Sequence, residues 1–227
     1  MQLTVIMLAV VLSLSGVFMG AIGAFATSAY VSRHRTRVDR PTRIDASAHL
    51  KSRVINSIVS TGMVVAVTLG FGSRLFATAP VSALRTVAEA AAILALYDLG
   101  YYFLHRFAFH SWSVGRRVHS VHHSIRTPYA NDSLYIHPAE TAAGVGLFLG
   151  CAALIGPVGL ASFGLAFLAY SVLNLYIHSS VELPFFPFNI LSGLVRHHDI
   201  HHESMKSGYY ASITPIWDVI FRTARRP

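Results

Sequence analysis

The chain predicts an all-α, polytopic membrane bundle with a histidine-rich helical cap on its cytoplasmic side. Three observations carry that expectation. Of its 227 residues 53% are hydrophobic and the mean hydropathy is +0.51, too apolar for an ordinary soluble domain of this size. Several apolar runs are long enough to cross a bilayer. Tight histidine clusters begin where those runs end.

A helix needs about 20 mostly apolar residues to cross about 30 Å of hydrocarbon. Residues 3–31, 54–72 and 86–104 meet that length. The first run carries no Lys or Arg before Arg33. A secretory signal begins with basic residues, so residues 1–31 read as a retained transmembrane helix. Residues 32–53 form a basic connector with Arg33, Arg35, Arg37, Arg40, Arg43, Lys51 and Arg53, and residues 54–89 hold the second span and an external loop. Only Arg74 and Arg85 lie between the second and third spans, so the positive-inside rule places the 32–53 loop in the cytoplasm.

The apolar region 141–177 is too long for one crossing and is broken at Gly156-Pro157. Proline removes a backbone donor and clashes with the preceding turn, so a helical hairpin is expected. Thr141 to Ile155 is short for a full span and is compatible with half-penetration. Counting crossings from the cytoplasmic loop puts residues 105–140 and 178–227 on the cytoplasmic side. All the histidine clusters then share one membrane face.

The formal net charge of +8 fits cytoplasmic basic residues meeting anionic headgroups. No basic and aromatic motif accompanies it, so no nucleic-acid partner is expected. A single cysteine, Cys151, excludes a disulfide framework, an iron–sulfur cluster and a thiolate zinc site built from this chain alone.

His119, His122 and His123 are spaced three and four apart, as are His198, His201 and His202. On helices each triplet would project from one face, and two such helices would offer six imidazoles to one volume. His105 and His110 are five apart, about 140° around an α-helix, so they either straddle that volume or address different metals. His178 ends the hairpin. Nine candidate ligands exceed the roughly four that one tetrahedral ion takes, which points to two metals. Imidazole suits zinc, copper, iron and nickel alike. His34 and His49, in the arginine-rich loop, read as polar anchors. Asp98, Glu140, Asp199 and Glu203 are candidates to orient the imidazoles, or else helix caps and surface groups. Asp98 is the most suggestive, because it sits inside the third span, where an ionisable group is costly.

Other catalytic patterns are absent: no G-x-S-x-G, H-E-x-x-H, P-loop or dinucleotide fingerprint occurs. Phe103, Phe107, Phe109 and the aromatics of the hairpin are candidates to line a groove for a hydrocarbon chain, or else pack helices and meet lipid. A non-redox zinc enzyme or a metal transporter would also hold clustered histidines. The first lacks a neighbouring Glu base, and the second lacks acidic residues or histidines in the first two spans.

His105-x4-His110, His119-x2-His122-His123 and His198-x2-His201-His202 resemble the histidine boxes of the fatty acid hydroxylase and sterol desaturase superfamily. Asp98, His105-Arg106, His137-Pro138-Ala139-Glu140 and the closing stretch from Trp217 to Thr223 match as well. The resemblance covers about residues 90–224, expected as the catalytic domain. It implies an integral membrane non-heme oxygenase with two iron ions and O2 as cosubstrate, zinc being able to replace iron in purified protein. The reaction implied is hydroxylation of an unactivated C–H bond of an acyl chain, sterol or isoprenoid, with desaturation as the alternative. Electrons would come from an external ferredoxin or cytochrome b5 type donor. The lack of a fused redox domain and of a C-terminal dilysine signal favours a bacterial inner membrane. By position, the ligands implied are His105, His110, His119, His122, His123, His178, His198, His201 and His202, with His137 as a supporting or occasional ligand.

Two departures stand out. Many members carry a histidine where this chain has Asn174, an amide that would bind through water or leave one metal more open. Arg222 stands where a glycine is usual, which is expected to alter a surface turn.

Overall fold

The computed structural model describes residues 16, 20, 21, 24, 25, 28–35 and 44–224. The expected first span lies largely outside these residues. The described residues are helical throughout, with no strand and two isolated bridges, Arg35 to Val181 and Phe76 to Val158.

A short α1 (Ala29–Ser32) precedes the long α2 (Ala46–Leu75). Polar residues 46–53, read from sequence as connector, form the first two turns of α2. Asp45 starts them early, because its carboxylate accepts from the free N–H groups of Ser47 and Ala48, both at 3.1 Å. Next comes α3 (Ala83–Phe103), which runs on as a π-helical segment over Leu104–Phe109. α4 (Ser113–His119) is followed by 3-10 turns at His122–Ser124 and Ala130–Leu134. The expected hairpin is α5 (Pro138–Ile155) and α6 (Leu160–Ile177), turning at Gly156, whose φ of +102° a side chain would resist. α7 (Phe188–Glu203) and the short α8 (Ile216–Ile220) complete the chain.

Four helices among the described residues are long and apolar enough to cross a membrane: Ala46–Leu75, Ala83–Phe109, Pro138–Ile155 and Leu160–Ile177. By length and composition this is a multi-pass membrane protein. α2 packs on α5, and α3 packs on both α5 and α6. Their shared core is Val64, Ile93, Tyr97, Phe148, Ala152, Phe163 and Ala166. Lipid tails are as apolar as this core, so close packing holds the bundle, helped by internal polar ties.

One such tie closes the end of the bundle away from the histidines. Gly159 N–H and Ser162 Oγ–H both donate to the buried Glu89 carboxylate at 2.7 Å, satisfying the N-terminus of α6. Arg85 Nε donates to the other Glu89 oxygen at 2.6 Å. Leu75 and Ala77 bond to Val158 at 2.9 Å, joining the two interhelical turns. With that end fixed, the opposite ends of α3 and α6 deliver His105 and His178 to one place.

Candidate metal centre

The π segment decides how His105 and His110 sit. His110 N–H donates to the His105 carbonyl at 3.0 Å, five residues back, as a π-helix requires. Five residues therefore make close to a full turn. The two rings, expected some 140° apart, lie on one side with Nε2 atoms 3.2 Å apart.

The helical triplets are corrected in a different way. α4 stops at His119, and His122 and His123 occupy the next 3-10 turn, so the first triplet does not share one helical face. The second triplet stays on α7. Each run is divided between two groups. His105, His110, His119, His123 and His201 form one, and His122, His178, His198 and His202 form the other. Within each group, the potential ligand atoms lie within 4.8 Å of one another, and all nine residues are buried.

Bonds behind the rings fix their tautomers. The Nδ1–H groups of His105, His110, His178, His201 and His202 donate to the carbonyls of Tyr210, Met205, Asn174, Gly208 and Ile125 at 2.6–2.8 Å. His119 Nδ1–H donates to Glu140 Oε1 at 2.8 Å. A carbonyl accepts only, so Nδ1 holds the ring's proton and Nε2 of the neutral ring is a bare lone pair. Yet Nε2 of His105 lies 3.0 Å from that of His119 and 3.2 Å from that of His110. Three converging lone pairs without a proton repel one another, and a cation between them removes the repulsion. The residues therefore fit a metal on their own geometry.

Burial also keeps these rings neutral. It holds His110 and His178 at about 4 and His202 at about 3, and it pushes His119, His122, His198 and His201 well below the ordinary imidazole value. Neutral imidazole is the form that binds metal. Glu140 Oε2, His122 Nδ1 and His123 Nδ1 are buried with no hydrogen-bond partner among the described residues.

The remaining sequence candidates are placed as follows. Glu140 meets an imidazole. Asp98 does not: it accepts from Ile213 N–H at 2.8 Å, Thr214 N–H at 3.3 Å and Thr214 Oγ–H at 2.6 Å, so it anchors the chain after the 208–211 loop. His137 is exposed and caps α5, its Nδ1 accepting from Ala139 N–H at 3.1 Å. Asp199 accepts from Ser180 Oγ–H at 2.6 Å. Asn174 contributes its backbone carbonyl to His178, and its side chain lines a cavity. His34 bonds to the Tyr30 carbonyl at 2.9 Å, and His49 pairs with Asp132 at 2.7 Å.

Sequence reading missed the loop that carries three of the carbonyls. Asp218 holds it, accepting from the N–H groups of Tyr210 and Ala211 at 2.9 Å and from Thr223 Oγ–H at 2.6 Å. The closing stretch from Trp217 to Thr223 was the available signal, and its role is support for the imidazoles. The aromatic groove is corrected in part: the hairpin aromatics Phe167 and Tyr170 line a cavity, and Phe103, Phe107 and Phe109 do not. Phe103 and Phe107 are exposed and stack on each other, and Phe109 is buried against His119. The cavity beside the histidines lies elsewhere. It measures about 350 Å³ and is walled by Gly16 and Gly20, α2, α5, α6 and the 131–136 segment, and Tyr101, His122, Glu140, Tyr170, Asn174 and His178 are among its lining residues.

Residues 90–223, more than half of the chain, match the family described as fatty acid hydroxylase. The chain belongs to the fatty acid hydroxylase family. Among relatives, this family member is 37% identical over 136 residues to the very-long-chain aldehyde decarbonylase GL1-11 of Oryza sativa subsp. indica, covering 56% of this chain and 49% of the relative. It is 33% identical over 132 residues to methylsterol monooxygenase 1 of Gallus gallus, covering 56% and 42%. To the cholesterol 25-hydroxylase-like protein of Danio rerio it is 31% identical over 149 residues, covering 62% and 57%. The chain thus spans about half the length of the curated relatives it matches. No solved structure matches it significantly. In this fatty acid hydroxylase family member Arg222 has φ +54°, which explains why its position favours glycine.

Proposed function

We propose that the chain is an O2-dependent membrane oxygenase that hydroxylates an unactivated C–H bond of a lipid at a two-iron centre. The observation that carries this reading is the pair of adjacent imidazole groups, six of whose nine rings turn a bare Nε2 inward, with His122 and His178 lining a cavity. One ion would be held by His105, His110, His119, His123 and His201, and the other by His122, His178, His198 and His202. Glu140 positions His119. Five donors in the first group exceed the four of a tetrahedral zinc site and favour iron. Iron bound there would supply O2 activation and the abstraction of hydrogen from carbon.

The chain's own contribution is placement and exclusion of water. Carbonyls of the 205–210 loop, Ile125 and Asn174 hold the rings in one tautomer and orientation. The buried cage keeps solvent from the reacting atoms, and the cavity presents one carbon to it. Electrons come from an external ferredoxin or cytochrome b5 type donor. On the basic-residue count the histidine end faces the cytoplasm, and a bacterial inner membrane is the proposed location. The relatives' names, a monooxygenase and a hydroxylase-like protein of sterols among them, support oxygen chemistry on a lipid.

The test is lipid profiling of cells with and without the chain, joined to metal analysis of the purified protein. A lipid gaining one oxygen, with about two iron atoms per chain, is the expected result. Loss of two hydrogens would identify desaturation on the same site. Full activity of a metal-free His201→Ala protein overturns the reading.

A further inference from the structure

The cavity holds a charge that the metal centre does not use. Arg53, half-buried on α2, lines it, and among the described residues it makes no hydrogen bond and no ion pair. Two other cations near the cap have partners: Arg35 reaches the Pro128 carbonyl and the Tyr129 ring, and Arg196 pairs with Glu182. A guanidinium kept partly out of water without an anion is costly, and its planar fork matches a carboxylate or phosphate.

Its surroundings define a path. Arg53, Ser57, Ser60 and Thr61 follow one another at i, i+4, i+7 and i+8, so one polar face of an otherwise apolar helix runs along the cavity for about 12 Å. Ser57 and Thr61 are exposed, and Gly16 and Gly20 of the first segment also line the cavity. The facing wall is mostly apolar, with Val145, Phe167 and Leu175 beside Thr141, Tyr170, Ser171 and Asn174, and His122 and His178 line the cavity as well. The volume of about 350 Å³ lies within the range of small-ligand sites. Asn56, one turn on from Arg53, accepts from Thr141 at 2.6 Å, so the guanidinium sits at the histidine end and the cavity runs from it along α2 towards Thr61, as suits an amphiphile lying lengthwise with its headgroup at the cap.

We propose that Arg53 binds the oxyanion headgroup, carboxylate or phosphate, of a single hydrocarbon chain that occupies this cavity, and so selects acidic amphiphiles over neutral ones. This rests on the oxygenase reading for its purpose and not for its test.

The experiment uses the full-length, metal-loaded protein in nanodiscs of zwitterionic lipid. Binding of spin-labelled stearate, spin-labelled lysophosphatidic acid and the matching labelled alcohol is followed by immobilisation of the label. The wild type is expected to bind the acids more tightly than the alcohol. Arg53→Gln should weaken the acids about tenfold or more and leave the alcohol unchanged. Arg53→Met, which keeps the aliphatic stem, should do the same, and Arg53→Lys should fall between. Metal content equal to wild type shows that the variants are folded.

A response of stearate alone assigns the headgroup to a free acid. A response of lysophosphatidic acid alone assigns it to a phospholipid. Acids that bind the variants as tightly as wild type overturn the proposal, as does an equal loss of alcohol binding. A shift confined to the protein's partition into anionic vesicles also overturns it, since Arg53 would then serve the bilayer surface. Turnover plays no part in these readings. An inactive chain that still prefers acids through Arg53 refutes the oxygenase alone, and an active one blind to headgroup charge refutes this inference alone.

Discussion

The Nε2 atoms of His105 and His110 stand 3.2 Å apart because the backbone between them is wound as a π-helix. The extra residue per turn is what brings both rings to one side. Inserting an alanine after Ala108 would set the two histidines six apart, roughly 120° round the helix, and should swing His110 out of its group. Metal content is expected to fall from about two ions to about one per chain. Two ions retained by the lengthened chain would separate the π geometry from binding.

Gly115 packs α4 against that segment. A Cβ there would approach the Ala108 carbonyl oxygen within 1.8 Å, far inside contact distance, so α4 must move if a side chain is added. Gly115→Ala should lower Tm by several degrees, the effect of about 1–3 kcal/mol of overpacking, and loosen metal at the His119 end. Calorimetry and metal analysis on one sample check both.

Glu140 accepts from His119 and leaves its second oxygen buried without a partner. Glu140→Leu removes the acceptor and should weaken metal binding by roughly 10–100-fold. Glu140→Gln, which keeps an acceptor oxygen, should recover most of it. Competition with a chelator measures the series.

Asp98 separates support of the fold from support of the metal. Its carboxylate takes three donors from residues 213 and 214 and touches no imidazole. Asp98→Ala should destabilise by about 2 kcal/mol or more while metal stoichiometry stays that of the wild type. Loss of metal at unchanged Tm would restore the role that its sequence position suggests.

The metal-free protein should be acid-labile. Burial holds His110 and His178 at about 4 and His202 at about 3, against 6.5 when solvated. Below pH 6.5 the unfolded chain binds more protons than the folded one, so stability is full above that value and falls as pH drops towards 4 and 3. Thermal melts of metal-free protein across that window test the sign. A Tm that rises on acidification would contradict it.

The apolar runs, the hairpin break and the nine clustered histidines were legible because each is a side-chain pattern. What escaped was set by the backbone. A π turn gives no composition signal, so His105 and His110 looked divergent. The bend after His119 looked like continuing helix, so His122 was grouped with the wrong neighbours. The carbonyls of Met205, Gly208 and Tyr210 have no side-chain signature, and nothing in sequence chose for Asp98 between orienting an imidazole and bonding to backbone, which is what it does. Arg53 was counted only for membrane orientation, since nothing in its sequence context shows that it faces a cavity.

The division of both H-x-x-H-H runs between the two imidazole groups has a consequence for assembly. His122 and His123 are adjacent in the chain but serve different groups, as do His201 and His202. An ion arriving in either group would restrain the same two peptide segments that build the other. Loading should therefore be cooperative, with singly loaded protein scarce at every point of a metal titration. For the same reason no fragment of this chain carries one complete group without part of the second.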